Sequence, residues 1–180
     1  MKRFNAILPL RAIALTLAAA GLAASAGAFA RSEPPARIQV TWAPAEQLTE
    51  VKNNRLERGW MRPKDWQQSL ADDLRVHADR LLPPDEQLQV TFEDIKLAGD
   101  FEPWHRPGLD DVRVLKDIYP PRAQLHYRLL AGDGRVLREG DAKLADLSYL
   151  QRAVPDTTDA LRYDKRMLRE WLRREFGRAS

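Results

Sequence analysis

Leu125, Tyr127 and Leu129 alternate with His126 and Arg128; Ala131-Gly132-Asp133-Gly134 follows, and Val136 begins a return toward Leu144. Apolar residues at every second position turn one face of a strand to a core and the other to water. A Gly-Asp-Gly turn supplies the backbone freedom that a tight reversal needs. An antiparallel hairpin is therefore predicted over this stretch, and it constrains everything else. A hairpin is marginal alone, so its apolar face must be joined by further strands and covered by helices.

The rest of the chain supplies both. Ile38, Val40 and Trp42 alternate with Gln39 and Thr41 as a half-buried strand that Pro44 closes. Residues 45–64 are polar, with Asn53-Asn54, Gly59 and Pro63, and read mostly as loop. Asp65, with Gln68 as its capping-box partner, predicts a helix start. Trp66, Leu70, Leu74, Ala78 and Leu81 then recur at helical spacing until Pro83-Pro84 stops them. Leu88, Val90 and Phe92 share one phase and Ile95 and Leu97 the other. That slip predicts a β-bulge near Glu93-Asp94, or a strand buried on both faces. Two prolines and a glycine exclude regular structure over 101–110. Val112 and Val114 predict a strand to Tyr119, where Pro120-Pro121 bends or breaks it. After Pro155, Asp156 or Thr158 can cap a last helix centred on Leu161, Leu168 and Leu172, with Trp171 and Phe176 at its edges.

The order is β-α-β-β-β-β-α, one strand shorter if Tyr119-Pro120-Pro121 is only a bend. These layers give an α+β fold: a two-layer sandwich of a mainly antiparallel sheet, four to five strands, with two amphipathic helices on one face.

The first thirty residues are set apart from this pattern. Lys2, Arg3 and Arg11 precede a segment, Ala12 to Ala30, without charge. It ends in Ala28-Phe29-Ala30, a small-x-small site, with Ala26-Gly27-Ala28 as a second option. This is the layout of a cleavable secretory signal. Its many alanines make it weakly hydrophobic for a membrane span, which needs ~20 apolar residues. No cysteine is available for lipid attachment, so the expected product is soluble and periplasmic. Residues 31–36 then read as a flexible lead-in and 37–180 as a single domain. Loss of the signal removes three cations and no acid, so 29 basic and 26 acidic residues become 26 of each. A charge-balanced chain lacks the basic excess that nucleic-acid binding uses.

Chemistry is sparse. The three histidines, His77, His105 and His126, stand without a second ligand at metal spacing, so neither metal nor other cofactor is expected. No serine sits in a G-x-S-x-G elbow, and Gly132-Asp133-Gly134 is a turn and not a phosphate cradle. Loop 99–111 gathers Asp100, Glu102, Trp104, His105, Arg106, Asp110 and Asp111. Asp94, Asp100 and Asp111 with His105 are the candidate acid–base set. Trp104 and Arg113 are candidate ligand contacts. Arg162, Arg166, Arg169 and Arg173 fall at helical spacing as a candidate anionic-surface stripe, with Glu170 available to pair Arg166 and Arg174. Asp94, Arg113 and Asp117 stand among strand apolars, where burial demands pairing, and predict an internal ion-pair network.

Five strings then stand together: I-Q-V-T-W-A-P at 38–44, F-E-D-I-K-L-A-G-D at 92–100, V-R-V-L-K-D-I-Y-P-P-R at 112–122, L-H-Y-R-L at 125–129, and L-R-Y-D-K-R-M-L-R-E-W at 161–171. In this order and spacing they resemble a family of small exported bacterial proteins grouped as domain of unknown function 3016. The resemblance implies a stand-alone periplasmic domain and brings no assigned activity, cofactor or catalytic residue. Trp42, Asp94, Gly99, Arg113, Tyr127, Tyr163 and Trp171 are the positions that carry it, residue types that build a sheet, a turn and a docked helix. Three readings follow: a binding or envelope-associated module without catalysis, a small hydrolase or carbohydrate-acting enzyme using carboxylates in 94–111, and a peripheral binder of anionic membrane or polymer. Envelope proteins and anionic lipids or polymers are the corresponding partners.

Expression in a Gram-negative host should give periplasmic protein whose N-terminus, read by Edman degradation, is Arg31 or Phe29. A product retaining Met1 in the membrane fraction would contradict the secretory reading.

Overall fold

A computed structural model describes residues 36–53, 61–102, 112–152 and 158–177, all within the unit Pro34–Ser180. Strand β1 (Ile38–Trp42) leads through a 3-10 turn (Ala45–Gln47) and a short helix α1 (Thr49–Asn53) to the long helix α2 (Pro63–Leu81). Strands β2 (Gln87–Lys96), β3 (Asp100–Phe101), β4 (Arg113–Val114), β5 (Arg122–Leu130) and β6 (Val136–Ala145) follow, and helix α3 (Arg162–Phe176) comes last. The main sheet has the order β1-β2-β5-β6, and β3 and β4 form a separate two-stranded ribbon. The α+β reading holds.

The hairpin is β5–β6, with Tyr127 opposite Gly140 and Leu125 opposite Ala142. Gly134 closes its turn at φ +84°, the left-handed conformation in which a Cβ is costly. Gly140 is there for a different reason: a Cβ would come within 3.3 Å of the Tyr127 hydroxyl lying over it. β2 pairs antiparallel with β5, and the register shifts between Phe92 and Asp94. The bulge is thus present. It keeps Ile95 on the face of Leu88, Val90 and Phe92, where an unbulged strand would turn it to the far side.

β1 pairs parallel with β2, Val40 beside Val90 and Trp42 beside Phe92. Parallel neighbours need a crossover, and α2 is that crossover. α2 and α3 pack together, α2 toward β1 and α3 toward β6, so both helices cover one face of the sheet. Between the layers lie Leu70 and Leu74 of α2, Leu168 and Leu172 of α3, and Phe92 and Leu125 of the sheet, all fully buried. Trp42 stacks on Phe92 with centroids 4.1 Å apart, and Trp66 meets Trp42 edge-on at 5.5 Å.

Five local expectations need correction, the smallest being Phe101, read as irregular but paired with Arg113 as the end of β3. The stretch read as loop after Pro44 holds the 3-10 turn and α1; five residues are too few to show a helical period. Residues 54–60 lie outside the described residues. α2 begins at Pro63, in the first-turn position where a missing N–H costs nothing. Asp65 is therefore no cap: it pairs with Arg62 at 3.0 Å, and Gln68 donates to Asp72 at 2.8 Å. The strand expected from Val112 to Tyr119 is only β4, because the chain turns where the Tyr119 N–H donates to the Lys116 carbonyl. α3 begins at Arg162, and the Asp159 carboxylate accepts the Leu161 N–H at 2.8 Å. Thr158 is not its cap, and Asp156 lies outside the described residues.

Truncating Phe92 to Ala should cost ~3–5 kcal/mol, by the usual measure of a large buried aromatic. Urea denaturation monitored by tryptophan fluorescence reads it, and a loss below about 1 kcal/mol would contradict the packing of Trp42 and Trp66 on this ring.

Candidate functional site

Because both helices cover one face, the other face of the sheet is polar. Thr41 and Thr91 hydrogen-bond across β1 and β2 at 2.8 Å. In the same cross-strand row, His126 Nδ1 lies 2.7 Å from Asp141 and Nε2 lies 3.2 Å from Glu139. The Asp141 contact raises the His126 pKa above its ordinary value; slight burial opposes this and Glu139 adds to it.

At one end of this face is a groove of about 460 Å³. Two cross-strand rows lie along it: Asp94, Gln124 and Lys143 in one, Lys96 and Arg122 in the other. Thr49 and Asn53 of α1 form one wall, and Ile118, Tyr119 and Pro120 the other. Asp94 is held by α1: its carboxylate accepts the Thr49 N–H at 2.6 Å and the Thr49 hydroxyl at 2.7 Å. Asp100, also in the wall, accepts the Phe101 N–H at 2.8 Å and faces Lys96 at 3.4 Å. Tyr119 donates to the buried Glu102 at 2.9 Å, a bond that raises the phenol pKa. Lys116 completes that group, 2.6 Å from Glu102. By contrast, the side chains of Asn53, Arg122, Gln124 and Lys143 reach the groove with no hydrogen bond or ion pair to another described residue.

Lys96 also belongs to a buried polar cluster. Residues 97–99 leave the sheet, yet they are buried, so all of their backbone groups need partners. The Leu97 N–H donates to Glu50 at 2.9 Å, and its carbonyl accepts from Arg113 at 2.9 Å. The Ala98 N–H donates to Asp164 at 3.0 Å, and its carbonyl accepts Arg113 Nε at 2.6 Å. The Gly99 N–H donates to the Tyr119 carbonyl at 2.9 Å, and its own carbonyl takes both Arg113 and Lys96 at 3.0 Å. Arg113 closes the set with a 2.6 Å bond to Glu50. Gly99 has φ +83°, and a Cβ there would stand 2.8 Å from the Val114 carbonyl and from Leu115. Burial pushes the Asp164 carboxyl up to about 7; the Ala98 N–H and Arg113 oppose that and Glu50 adds to it.

The candidate residues therefore separate. Asp94 and Asp100 come together in the groove. Trp104, His105, Arg106, Asp110 and Asp111 lie outside the described residues. Arg113 is spent inside the protein, and the expected network forms around it with a different acid: Glu50 takes the place given to Asp94 and Asp117, and Asp117 is exposed. In the arginine stripe, Arg166 bonds the buried Asp146 at 2.7 Å, and Arg169 Nε bonds Asp73 at 2.9 Å. Burial alone would raise the Asp146 pKa, but Arg166 and Arg152 outweigh it and hold the carboxylate below its ordinary value. Glu170 pairs with Arg152 at 2.8 Å, across to another segment and not along its own helix. Glu50, Arg122 and Lys143 were not singled out by sequence reasoning. Asp164 carried a signal: it lies three residues after Leu161 and four before Leu168, on the apolar stripe of α3. Among the described residues no three acidic, His or Cys side chains converge to hold a metal ion, and no helix is long and apolar enough to cross a membrane.

Residues 36–174 match the family described as proteins of unknown function (DUF3016), and the chain belongs to that family. No curated protein and no solved structure gave a significant match.

Asp164 makes stability depend on pH. Its folded pKa is raised, so its contribution is intact below the ordinary carboxyl value near 4 and is lost as pH rises toward 7. Asp164→Asn keeps an oxygen for the Ala98 N–H and removes the titration. Urea denaturation at pH 5 and pH 8 should show a difference smaller in the variant by ~2–4 kcal/mol. Equal differences in both proteins would refute the assignment.

Proposed function

We propose that the chain is exported and that its mature form is a periplasmic, non-catalytic binding module whose ligand site is the groove beside α1. The export reading rests on the Lys2-Arg3 start, the uncharged segment to Ala30 and the small-x-small site. The binding reading rests on one observation: Asn53, Arg122, Gln124 and Lys143 present polar heads to a concave surface with no partner among the described residues. Convergent polar groups in a concavity are what fixes a small ligand.

The same groove contains Asp94 and Asp100, which is the observation that favours a hydrolase. Both carboxylates are engaged, however: Asp94 by two donors of Thr49, Asp100 by Phe101 N–H and Lys96. Such contacts fix α1 and the ribbon β3–β4 in place and occupy the carboxylate oxygens that a catalytic base would present to a substrate. The anionic-surface reading has less support, since Arg166 and Arg169 hold α3 to Asp146 and Asp73.

Fractionated small molecules from a bacterial envelope should raise the thermal midpoint of the wild type and leave Gln124→Trp, which fills the groove, unmoved. A ligand at about 100-fold its Kd adds ~2.7 kcal/mol. Turnover of any envelope substrate that is lost in Asp94→Asn or Asp100→Asn would overturn the non-catalytic reading.

A further inference from the structure

Arg122 lies opposite Ala145 and Lys143 opposite Gln124, so the two cations are diagonal neighbours on adjacent strands. Diagonal positions stand ~7–8 Å apart, within joint reach of long side chains. Both are exposed, and neither side chain has a hydrogen bond or ion pair to a described residue. Lys96, opposite Arg122 on the other side, differs: Gly99, Asp100 and Glu50 hold its ammonium. The groove thus contains one neutralised cation and two like charges on diagonal positions, neither side chain engaged by a described residue.

We infer that Arg122 and Lys143 form an oxyanion site, taking one phosphate or carboxylate group of a small polar ligand, with the Asn53 and Gln124 amides beside it for a neighbouring hydroxyl or amide. This rests on the binding reading of the same groove. Arg and Lys together offer forked and point-charge donors to one anion, and such charge-assisted bonds are the strong ones. Asp94, opposite Gln124, and Asp100 line the same groove. Carboxylates along the groove disfavour a row of negative charges, so the site suits a single oxyanion on a small molecule and not an extended polyanion.

Amide-resolved NMR titration of the mature protein at low ionic strength is the test, with inorganic phosphate, glucuronate and glucose as probes. Phosphate or glucuronate should shift amides of residues 94–96, 122–124 and 142–144, and glucose should not. The tighter of the two anions tells which source the site prefers. Arg122→Gln with Lys143→Gln should weaken anion binding at least ~10-fold with an unchanged thermal midpoint, the expectation for loss of charge-assisted contacts. Failure of both anions to shift the groove would overturn the inference. So would a double variant that binds as tightly as the wild type. If the double variant still responds to envelope fractions as the wild type does and Gln124→Trp does not, the oxyanion assignment falls and the binding reading stands. If Gln124→Trp also responds, both fall.

Discussion

The fold depends on how three buried residues outside any sheet are satisfied. Leu97, Ala98 and Gly99 carry six backbone polar groups into the interior, and all six find partners in four separate parts of the chain. Glu50 comes from α1, Arg113 from β4, Asp164 from α3, and the Tyr119 carbonyl from the turn after β4. A buried polar backbone group without a partner costs on the order of 1–3 kcal/mol. The segment therefore cannot be packed unless these elements arrive together. Arg113 is the hinge of the arrangement, since its fork reaches all three carbonyls and Glu50.

The same constraint builds the groove. Glu50 anchors α1 from below while Thr49, one residue earlier, bonds Asp94 at the groove edge. Gly99 fixes the Tyr119 segment that forms the opposite wall. Between these walls the bulge at Glu93 turns Asp94 to the open face and returns Ile95 to the core. Groove shape is thus a consequence of internal satisfaction, and the side chains left over are those on β5, β6 and the end of α1.

Much of the architecture was legible beforehand because strands and long helices write their burial into a period. The hairpin, the bulge, the strand at 38–42 and the apolar stripes of both long helices follow from residues such as Val90, Tyr127, Leu74 and Leu168. The parallel pairing of β1 with β2 did not, because alternation reports a buried face and says nothing of which edge a neighbour takes. α1 was invisible for want of length. In the site, Asp94 was recognisable as a carboxylate among strand apolars and Asp100 as one of the polar residues gathered in loop 99–111. Arg122 and Lys143 looked like ordinary exposed cations, 21 residues apart in sequence.

By itself the sequence determined the class of fold, the phase of the strands at 38–42, 88–97 and 125–129, and the two long helices, since each is a local matter of period or turn chemistry. Tertiary structure alone decided that Arg113 meets Glu50 across 63 positions, and that Arg122 and Lys143 become neighbours at a groove. Hydrophobic period is written within a few residues, whereas the partner of a charge is whichever group folding brings to it.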